Sequence, residues 1–136
     1  MAYHKIALLA DTHGLLREEV VQKIKDCEVI FHAGDFGGPE IVERLQQIAP
    51  VYMARGNNDK EWAKDMPYFV RGQIGNRTFY MCHKKQDLPD ELGEVDFVIC
   101  GHSHKYELKQ EGSICYINPG SCGPRRFHQP ITFAIL

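Results

Sequence analysis

Apolar runs alternate with amphipathic stretches through the first half of the chain. Residues 5–10 and 29–33 are apolar runs typical of buried strands, and residues 51–54 form a shorter run of the same kind. Between these runs, residues 15–26 and 39–48 place apolar side chains three or four positions apart, which predicts two amphipathic helices. The resulting β-α-β-α-β order predicts a parallel sheet with right-handed crossovers.

Strand patterns dominate the second half. Residues 68–74 and 77–82 are β-rich, and the Gly75-Asn76 pair between them is a two-residue hairpin signal. Residues 84–94 are polar and allow only a short helix around 88–92. The remaining expected elements are a helix at 60–66, a buried strand at 97–100, a strand pair at 106–108 and 113–117 that turns at Glu111-Gly112, and a final strand at 131–136.

The size and composition of the chain predict one globular domain spanning residues 1–136. Hydrophobic residues make up 43% and charged residues 25% of the 136 positions, which is enough for one core and too little for two. The net charge of −2 provides no basic field of the kind that indicates nucleic-acid binding. No apolar run approaches the roughly 20 residues that span a bilayer, so no membrane partner is expected.

The N-terminus and the cysteines favour a cytoplasmic protein. The chain passes almost directly into its first strand, and we expect no signal peptide. The five cysteines are odd in number and form no C-x-x-C pair, which favours reduced thiols over a disulfide framework. Cys82 and Cys100 fall on apolar strands and are expected to be inert core residues.

Acidic, amide or imidazole side chains follow most of the predicted strands. In open α/β sheets the carboxyl edge of the strands is where ligand sites are built, so we expect these side chains to meet at that edge. The His-x-His pair that follows the 97–100 strand starts from a buried and therefore rigid base. The candidate residues are Asp11, His13, Asp35, Asn57, Asp59, His83, His102 and His104.

The chemistry of this set predicts a centre for divalent metal ions. Carboxylate, imidazole and amide oxygen ligands together suit Mn²⁺, Fe²⁺, Zn²⁺, Co²⁺ or Ni²⁺. The set is too large for one tetrahedral zinc and contains no cysteine, which argues against a structural zinc site. Two ions that share one carboxylate would use the set well, since a pair roughly 3.5–4 Å apart can deprotonate a bridging water and hold a phosphoryl group.

The ordered motifs resemble those of the calcineurin-like metallophosphoesterases, and most nearly their small bacterial and archaeal phosphodiesterase branch. The resemblance implies a four-layer α/β/β/α sandwich of two mixed sheets. The loop Asn118-Pro119-Gly120-Ser121 and the flanking strands extend the likeness over nearly the whole chain. The motifs that carry it are Asp11-x-His13, Gly34-Asp35, Gly56-Asn57-x-Asp59, His83 after a strand, and Gly101-His102-x-His104.

The same resemblance implies a dinuclear site in which a hydroxide between the ions is the nucleophile. Asp35 would bridge the two ions, which we expect to be Mn²⁺, with Fe, Zn, Ni, Co or Mg as alternatives. A small phosphoester would be the substrate, with its developing charge neutralised by the metals and nearby donors. One ion would be held by Asp11, His13, Asp35 and His104, and the other by Asp35, Asn57, His83 and His102.

The chain departs from the family at Asn58, where many members have a histidine that can protonate the leaving group. An amide cannot act as an acid at neutral pH, so we predict better activity on activated esters such as p-nitrophenyl phosphodiesters than on poor leaving groups. The residues expected in this catalytic turn are Asn57, Asn58 and Asp59, with Arg55 able to approach the substrate phosphate.

Two further departures concern one of the expected ligands and the rim of the site. His83 follows Met81-Cys82 where relatives often have Gly-His, so it is the least secure ligand. The segment between His83 and His102 is short, which predicts an open site or one completed by a second subunit of a homo-oligomer.

Several candidate residues have two interpretations. Asp59 either orients a group in the site or caps the helix expected at 60–66, and Arg55 either meets phosphate or is simply exposed. His32 either orients a ligand or makes a local hydrogen bond. His4 is expected at the surface, and His128 with Arg125 and Arg126 is expected to form a solvated basic loop rather than a phosphate site.

Three functions are compatible with these motifs. The first is a metal-dependent phosphoesterase, most readily a phosphodiesterase. The second is a non-catalytic protein-interaction scaffold on the same fold, which the retention of all seven expected ligands argues against. The third is a nucleotide or UDP-lipid pyrophosphatase, which the short rim disfavours because it leaves little chain for an acyl-binding cap.

Overall fold

A computed structural model describes residues 5–103, 105–123 and 134–135. Its first sheet contains the strands β1 (Ile6–Leu9), β2 (Val29–His32) and β3 (Val51–Met53), which run parallel as predicted. Ala134–Ile135, the described part of the expected final strand, pairs antiparallel with β1. The order across this sheet therefore places β1 inside, with the parallel β2 on one side and the antiparallel strand on the other.

Helices α1 (Glu18–Ile24) and α2 (Pro39–Gln46) connect the parallel strands and cover the outer face of this sheet. Both are shorter than the amphipathic patterns predicted. Pro39 occupies the first turn of α2, where its missing N–H has no partner to lose. The buried stripe of Val20, Ile24, Ile41 and Leu45 packs with Leu9 and Ile30 of the sheet, so these helices fix the crossovers that bring the strand ends together.

The second sheet is mixed and has five strands. The Gly75-Asn76 hairpin joins its first two strands as predicted, and three strands run parallel at its centre with an antiparallel strand at each edge. Its strands are β4 (Phe69–Ile74), β5 (Arg77–Cys82), β6 (Phe97–Ile99), β7 (Glu107–Glu111) and β8 (Ile114–Asn118). Their order across the sheet is β4, β5, β6, β8 and β7.

The two sheets pack face to face through Leu8 and Phe31 of the first and Phe79, Met81 and Ile99 of the second. This confirms the predicted α/β fold of two mixed sheets. The outer face of the second sheet is covered by the 84–96 segment, whose helical content is a single 3-10 turn at Lys85–Asp87. In the described part of the chain, the fourth layer of the sandwich is therefore thin.

Three local predictions need correction. The helix expected around 88–92 is wrong because Leu88 is extended, as residues before a proline usually are, and Pro89 follows it. The helix expected at 60–66 contracts to a 3-10 turn at Glu61–Ala63. The last hairpin turns one residue later than predicted, at 112–113, with a longer first strand.

None of the helices in the described ranges has the length and apolar character needed to cross a membrane.

Candidate metal centre

The carboxyl ends of β1, β2, β5 and β6 bring five of the expected ligands together. Potential ligand atoms of Asp11, His13 and Asp35 all lie within 4.8 Å of one another. The same limit holds for a second group made of Asp35, His83 and His102. Asp35 is common to both groups, which is the position that a bridging carboxylate would occupy.

The distances between the imidazole and carboxylate groups are those of a compact cluster. His13 Nε2 lies 3.6 Å from Asp11 Oδ1 and 3.7 Å from Asp35 Oδ2. His83 Nε2 lies 3.1 Å from Asp35 Oδ2 and 3.7 Å from Asp11 Oδ1. Asp11, Asp35 and His83 are buried, so these charges interact without much screening by water.

The backbone bends sharply at four of the candidate ligands. Asp11, His13, Asp35 and His102 have φ angles of 56°, 46°, 61° and 75°, and they are the non-glycine residues with positive φ in the described ranges. This conformation is sparsely populated by L-amino acids and is retained when the surrounding structure over-determines it. The strain is concentrated where the strands end and the candidate ligands begin.

A buried carboxylate, Asp59, holds the Asp35 turn in place. Its oxygens accept hydrogen bonds from the backbone N–H groups of Asp35 (2.8 Å), Phe36 (2.9 Å) and Gly56 (2.9 Å). The 3-10 turn at Glu61–Ala63 has no side-chain cap, so the capping alternative for Asp59 does not describe its contacts. Asp59 acts on the Asp35 turn instead.

Gly56 is required by the close approach of the third strand end to Asp35. A Cβ atom at this position would collide with the carboxylate and the backbone nitrogen of Asp35. Glycine removes the collision and lets its N–H reach Asp59.

Of the two neighbouring amides, Asn58 is the one whose side chain contacts Asp35. Its backbone N–H donates to Asp35 Oδ1 at 2.9 Å, and its Nδ2 donates to Oδ2 at 3.1 Å. Asn57 is exposed, as Asn58 is, and the backbone carbonyl of Asn57 accepts a 3.0 Å hydrogen bond from Lys60 Nζ. Hydrogen bonds among the described residues thus join the Asn58 side chain to the cluster.

The charges of the cluster are arranged to hold a cation. Burial favours the neutral acid of Asp35, but the nearby His83 ring and the backbone N–H of Asn58 outweigh burial and hold the pKa of Asp35 well below its usual range. Burial lowers the pKa of His83, whereas the carboxylates of Asp35 and Asp11 more than compensate and raise it. The two carboxylates therefore stabilise positive charge at the position of the His83 ring.

The orientation of His83 provides a direct test of whether a metal ion fits. Its Nδ1 lies 2.8 Å from the carbonyl oxygen of Ala33, which can only accept, so Nδ1 carries a proton. In the neutral ring, Nε2 then presents a lone pair toward two carboxylates, and this buried atom makes no hydrogen bond of good geometry with any described residue. A cation between the His83 ring and the two carboxylates would bind the Nε2 lone pair and balance the negative charge. The residues therefore fit a metal ion.

His32 lies beneath the site as a neutral, fully buried ring. Its Nδ1 accepts from the Gly34 N–H at 3.1 Å, so its Nε2 donates to Thr12 Oγ1 at 3.0 Å. Thr12 in turn donates to the carbonyl of Phe36 at 2.9 Å, and the His32 ring stacks on Phe36 at 3.7 Å. Burial, aided by the nearby His83, lowers the pKa of His32 to about 3.

Sequence reasoning missed three side chains that orient the cluster. Thr12, between two candidate ligands, ties the first strand end to the second. Ser121 Oγ donates to the carbonyl of Asp11 at 3.0 Å, and Asn118 Nδ2 donates to Gly101 O at 3.1 Å and Ser103 Oγ at 3.0 Å. The signal for two of them was the 118–121 loop, whose motif indicated proximity to the site but not a role for its side chains.

Arg55 is bound to its own turn. Its guanidinium donates to the carbonyls of Asp59 at 2.8 Å and Lys60 at 3.1 Å, and it lies over the Tyr68 ring. These contacts hold the charge beside the catalytic turn that the motifs predict. His104, His4, Arg125, Arg126 and His128 lie outside the described residues, and the roles assigned to them stay predictions.

The fold and the cluster together define a class: an α/β sandwich of two mixed sheets with carboxylates and histidines gathered at the carboxyl ends of its parallel strands. The chain belongs to the calcineurin-like phosphoesterase superfamily, whose domain model matches residues 5–136. The resemblance that the motifs predicted is thereby confirmed.

The similar proteins include phosphoesterases and Vps29. A probable metallophosphoesterase of Methanothermobacter thermautotrophicus is 29% identical over 140 residues, which covers 92% of this chain and 81% of the relative. The structure of an archaeal phosphodiesterase is similar with a TM-score of 0.76 at 23% identity, covering 97% of this chain and 98% of that one. The structure of Vps29 from Chaetomium thermophilum is similar with a TM-score of 0.84 at 16% identity, covering 98% and 81%.

Proposed function

We propose that this protein is a metal-dependent phosphoesterase that acts on small phosphodiesters, with Asp35 shared between two divalent ions. The observation that carries the proposal is the pair of ligand groups, Asp11–His13–Asp35 and Asp35–His83–His102, that meet at one carboxylate. The membership of the chain in a phosphoesterase superfamily supports the same class of reaction.

The proposed ligand sets are those that the family motifs imply, with Mn²⁺ as the favoured ion. Asp11, His13, Asp35 and His104 would hold one ion. Asp35, Asn57, His83 and His102 would hold the other. When bound, such ions supply an activated water and positive charge that stabilises the phosphoryl oxygens.

The residues of the chain prepare the site for these ions. Asp35 stays ionised because the nearby His83 ring and the Asn58 N–H hold its pKa well below the usual range, so no proton competes with a cation on this carboxylate at neutral pH. His83 is held with its Nε2 toward the carboxylates by the Ala33 carbonyl. Asp59 and Gly56 hold the Asp35 turn, which keeps the shared ligand in position.

Asn58 limits which esters can be cleaved. It lies against Asp35 where it can donate hydrogen bonds, but its amide cannot protonate a departing alkoxide. Esters whose leaving group departs as a stable anion do not need that proton. We therefore propose that p-nitrophenyl phosphodiesters are good substrates and alkyl phosphodiesters poor ones.

A phosphodiester is favoured over other phosphoesters by the comparison with the archaeal phosphodiesterase, which shares the fold over nearly its whole length. The similarity to Vps29 keeps the scaffold alternative open to test, since that fold match covers 98% of this chain. The two functions differ in whether the site must bind metal and turn over substrate.

The test is a substrate panel run on protein purified without chelator and then loaded with Mn²⁺. Bis(p-nitrophenyl) phosphate should be hydrolysed faster than p-nitrophenyl phosphate, and chelation should abolish both activities. Turnover of a dinucleoside polyphosphate or a UDP-linked lipid instead would favour the pyrophosphatase alternative. A protein that takes up no Mn²⁺ and hydrolyses none of these esters would favour the scaffold and reject the proposal.

A further inference from the structure

A groove of about 240 Å³ lies on the outer face of the second sheet, beneath the thin 84–96 layer. Its floor is formed by the apolar side chains of Val98 and Cys100 and by the ring of Tyr116, which share the outer face of the sheet. Lys85 of the 3-10 turn lies on one side, and Glu107 of β7 lies on the other. An apolar floor with polar walls is the usual character of a small-molecule site.

The groove shares one residue with the candidate metal centre. His102 lines the groove and also belongs to the ligand group with Asp35 and His83. Asn118 fixes this shared wall because its Nδ2 donates to the carbonyl of Gly101 and to Ser103 Oγ, on either side of His102. A phosphoryl group at the metal centre would therefore have this groove beside it.

The contacts across the groove are weak enough to be displaced. Lys85 Nζ lies 5.5 Å from the centre of the Tyr116 ring and 3.8 Å from Glu107 Oε1. Both charged side chains are more than half exposed, and exposed ion pairs of this kind contribute little. An entering aromatic ring can take the face of Tyr116 while Lys85 remains nearby as a cation.

From these contacts we infer that the groove binds one planar aromatic ester group of a phosphodiester, packed against the Tyr116 ring. The inference rests on the proposed function because the phosphoryl group must sit at the metal centre. The volume is below the roughly 300–1,000 Å³ typical of sites for drug-sized ligands, so it suits a single ring system rather than an acyl chain.

The test compares two inert anions, phenylphosphonate and methylphosphonate, by calorimetric titration of the Mn²⁺-loaded protein. Both present the same phosphonate, and only one carries a ring. The wild type should bind phenylphosphonate about five- to tenfold more tightly, the gain typical of an aromatic pair. Tyr116→Leu should lose this preference and keep its affinity for methylphosphonate, whereas Tyr116→Phe should retain both.

Tyr80→Leu is the matched control. Tyr80 belongs to the same apolar cluster on the outer face of the second sheet, but it does not line the groove, so this variant should keep the preference for the ring. Equal binding of the two phosphonates by the wild type, or a preference that survives in Tyr116→Leu, would overturn the inference and leave the proposed function standing.

Two further results complete the test. If neither phosphonate binds the Mn²⁺-loaded protein, the proposed function fails and the inference fails with it. In the wild type loaded with diamagnetic Zn²⁺ in place of Mn²⁺, nuclear Overhauser effects should connect the phenyl protons of the ligand to the Tyr116 ring. This measurement needs no variant to fold. A bound phenyl group with contacts only to residues outside the groove would overturn the inference.

Discussion

Asn58 stands where the family resemblance leads us to expect a histidine. Its Nδ2 is 3.1 Å from Asp35 Oδ2, so a side chain at this position reaches the cluster. The identity of the side chain then decides whether a proton is available for the leaving group. An amide can orient but cannot donate that proton.

The first prediction is that Asn58→His increases activity on poor leaving groups. An imidazole at this position can act as a general acid, which typically contributes about 10²–10⁴-fold. We expect hydrolysis of an alkyl phosphodiester to rise at least about tenfold relative to bis(p-nitrophenyl) phosphate. The measurement is kcat/KM for the two esters, and Asn58→Gln, which adds no acid, should leave their ratio unchanged. An unchanged ratio in Asn58→His would contradict the role of this position.

The second prediction concerns His32, whose pKa of about 3 in the folded protein lies below the usual 6.5. Between these values the unfolded chain binds a proton that the folded protein does not, so stability is full above pH 6.5 and falls as the pH is lowered. The loss from this group between pH 7 and pH 5 should be about 2 kcal/mol.

Urea unfolding of the metal-free protein at pH 7 and pH 5 measures this loss. His32→Gln should lose less stability over the same interval, because the other titrating groups are common to both proteins. Identical pH dependence in the two proteins would show that His32 is not held neutral by its contacts with Thr12 and Gly34.

At the scale of elements, the strands follow from the local sequence, whereas the backbone conformation at their ends is set by tertiary contacts. The alternation of apolar runs and amphipathic helices predicted the parallel strands, because burial sets that pattern directly. The Gly75-Asn76 hairpin was also predictable because a two-residue turn depends on local chemistry. The left-handed backbone at Asp11 and Asp35 was not predictable, since contacts from other strand ends impose it.

In the 84–96 segment, a local pattern of apolar residues suggested a structure that does not form. Leu88 and Leu92 are spaced like one face of a helix, but Pro89 keeps the preceding residue extended. Both leucines still pack on the outer cluster of the second sheet. The short helix that the spacing allowed is therefore absent from this segment, although both leucines contact the sheet.

The third prediction is that Gly56→Ala disrupts the site through the junction of two strand ends. A Cβ at position 56 meets the Asp35 carboxylate and backbone, so the Asp35 turn must move. We expect Mn²⁺ affinity to fall at least about tenfold, as for loss of groups that orient metal ligands. Gly112→Ala is the control, because position 112 has a positive φ but open space around it and should cost only about 1 kcal/mol of stability. Wild-type Mn²⁺ affinity in Gly56→Ala would refute the close packing described here.

At the scale of the whole molecule, the carboxyl ends of four strands from the two sheets meet around one carboxylate, that of Asp35. The sequence motifs predicted the five residues that the structure brings together, because each follows a recognisable strand. The local pattern could not predict that Asn58 rather than the Asn57 side chain would contact Asp35, nor that Asp59 would hold the turn from below. Those outcomes depend on how the third strand end packs against the second.

The thin fourth layer is a second property of the whole molecule. In the described ranges the outer face of the second sheet carries a single 3-10 turn, and this leaves the groove beside His102 accessible. The prediction that a short rim gives an open site agrees with this feature. Whether a second subunit contributes to the rim stays a prediction.

The most direct measurement is the number of Mn²⁺ ions bound per chain by the wild type and by Asp35→Asn, determined by calorimetry with elemental analysis. Asp90→Asn, at an exposed position of the 84–96 segment, is the control for loss of one carboxylate charge. We expect two ions per chain in the wild type and in the control. The Asp35→Asn protein should be folded, bind at most one ion weakly and show no turnover. Two ions bound with wild-type affinity by Asp35→Asn would contradict it.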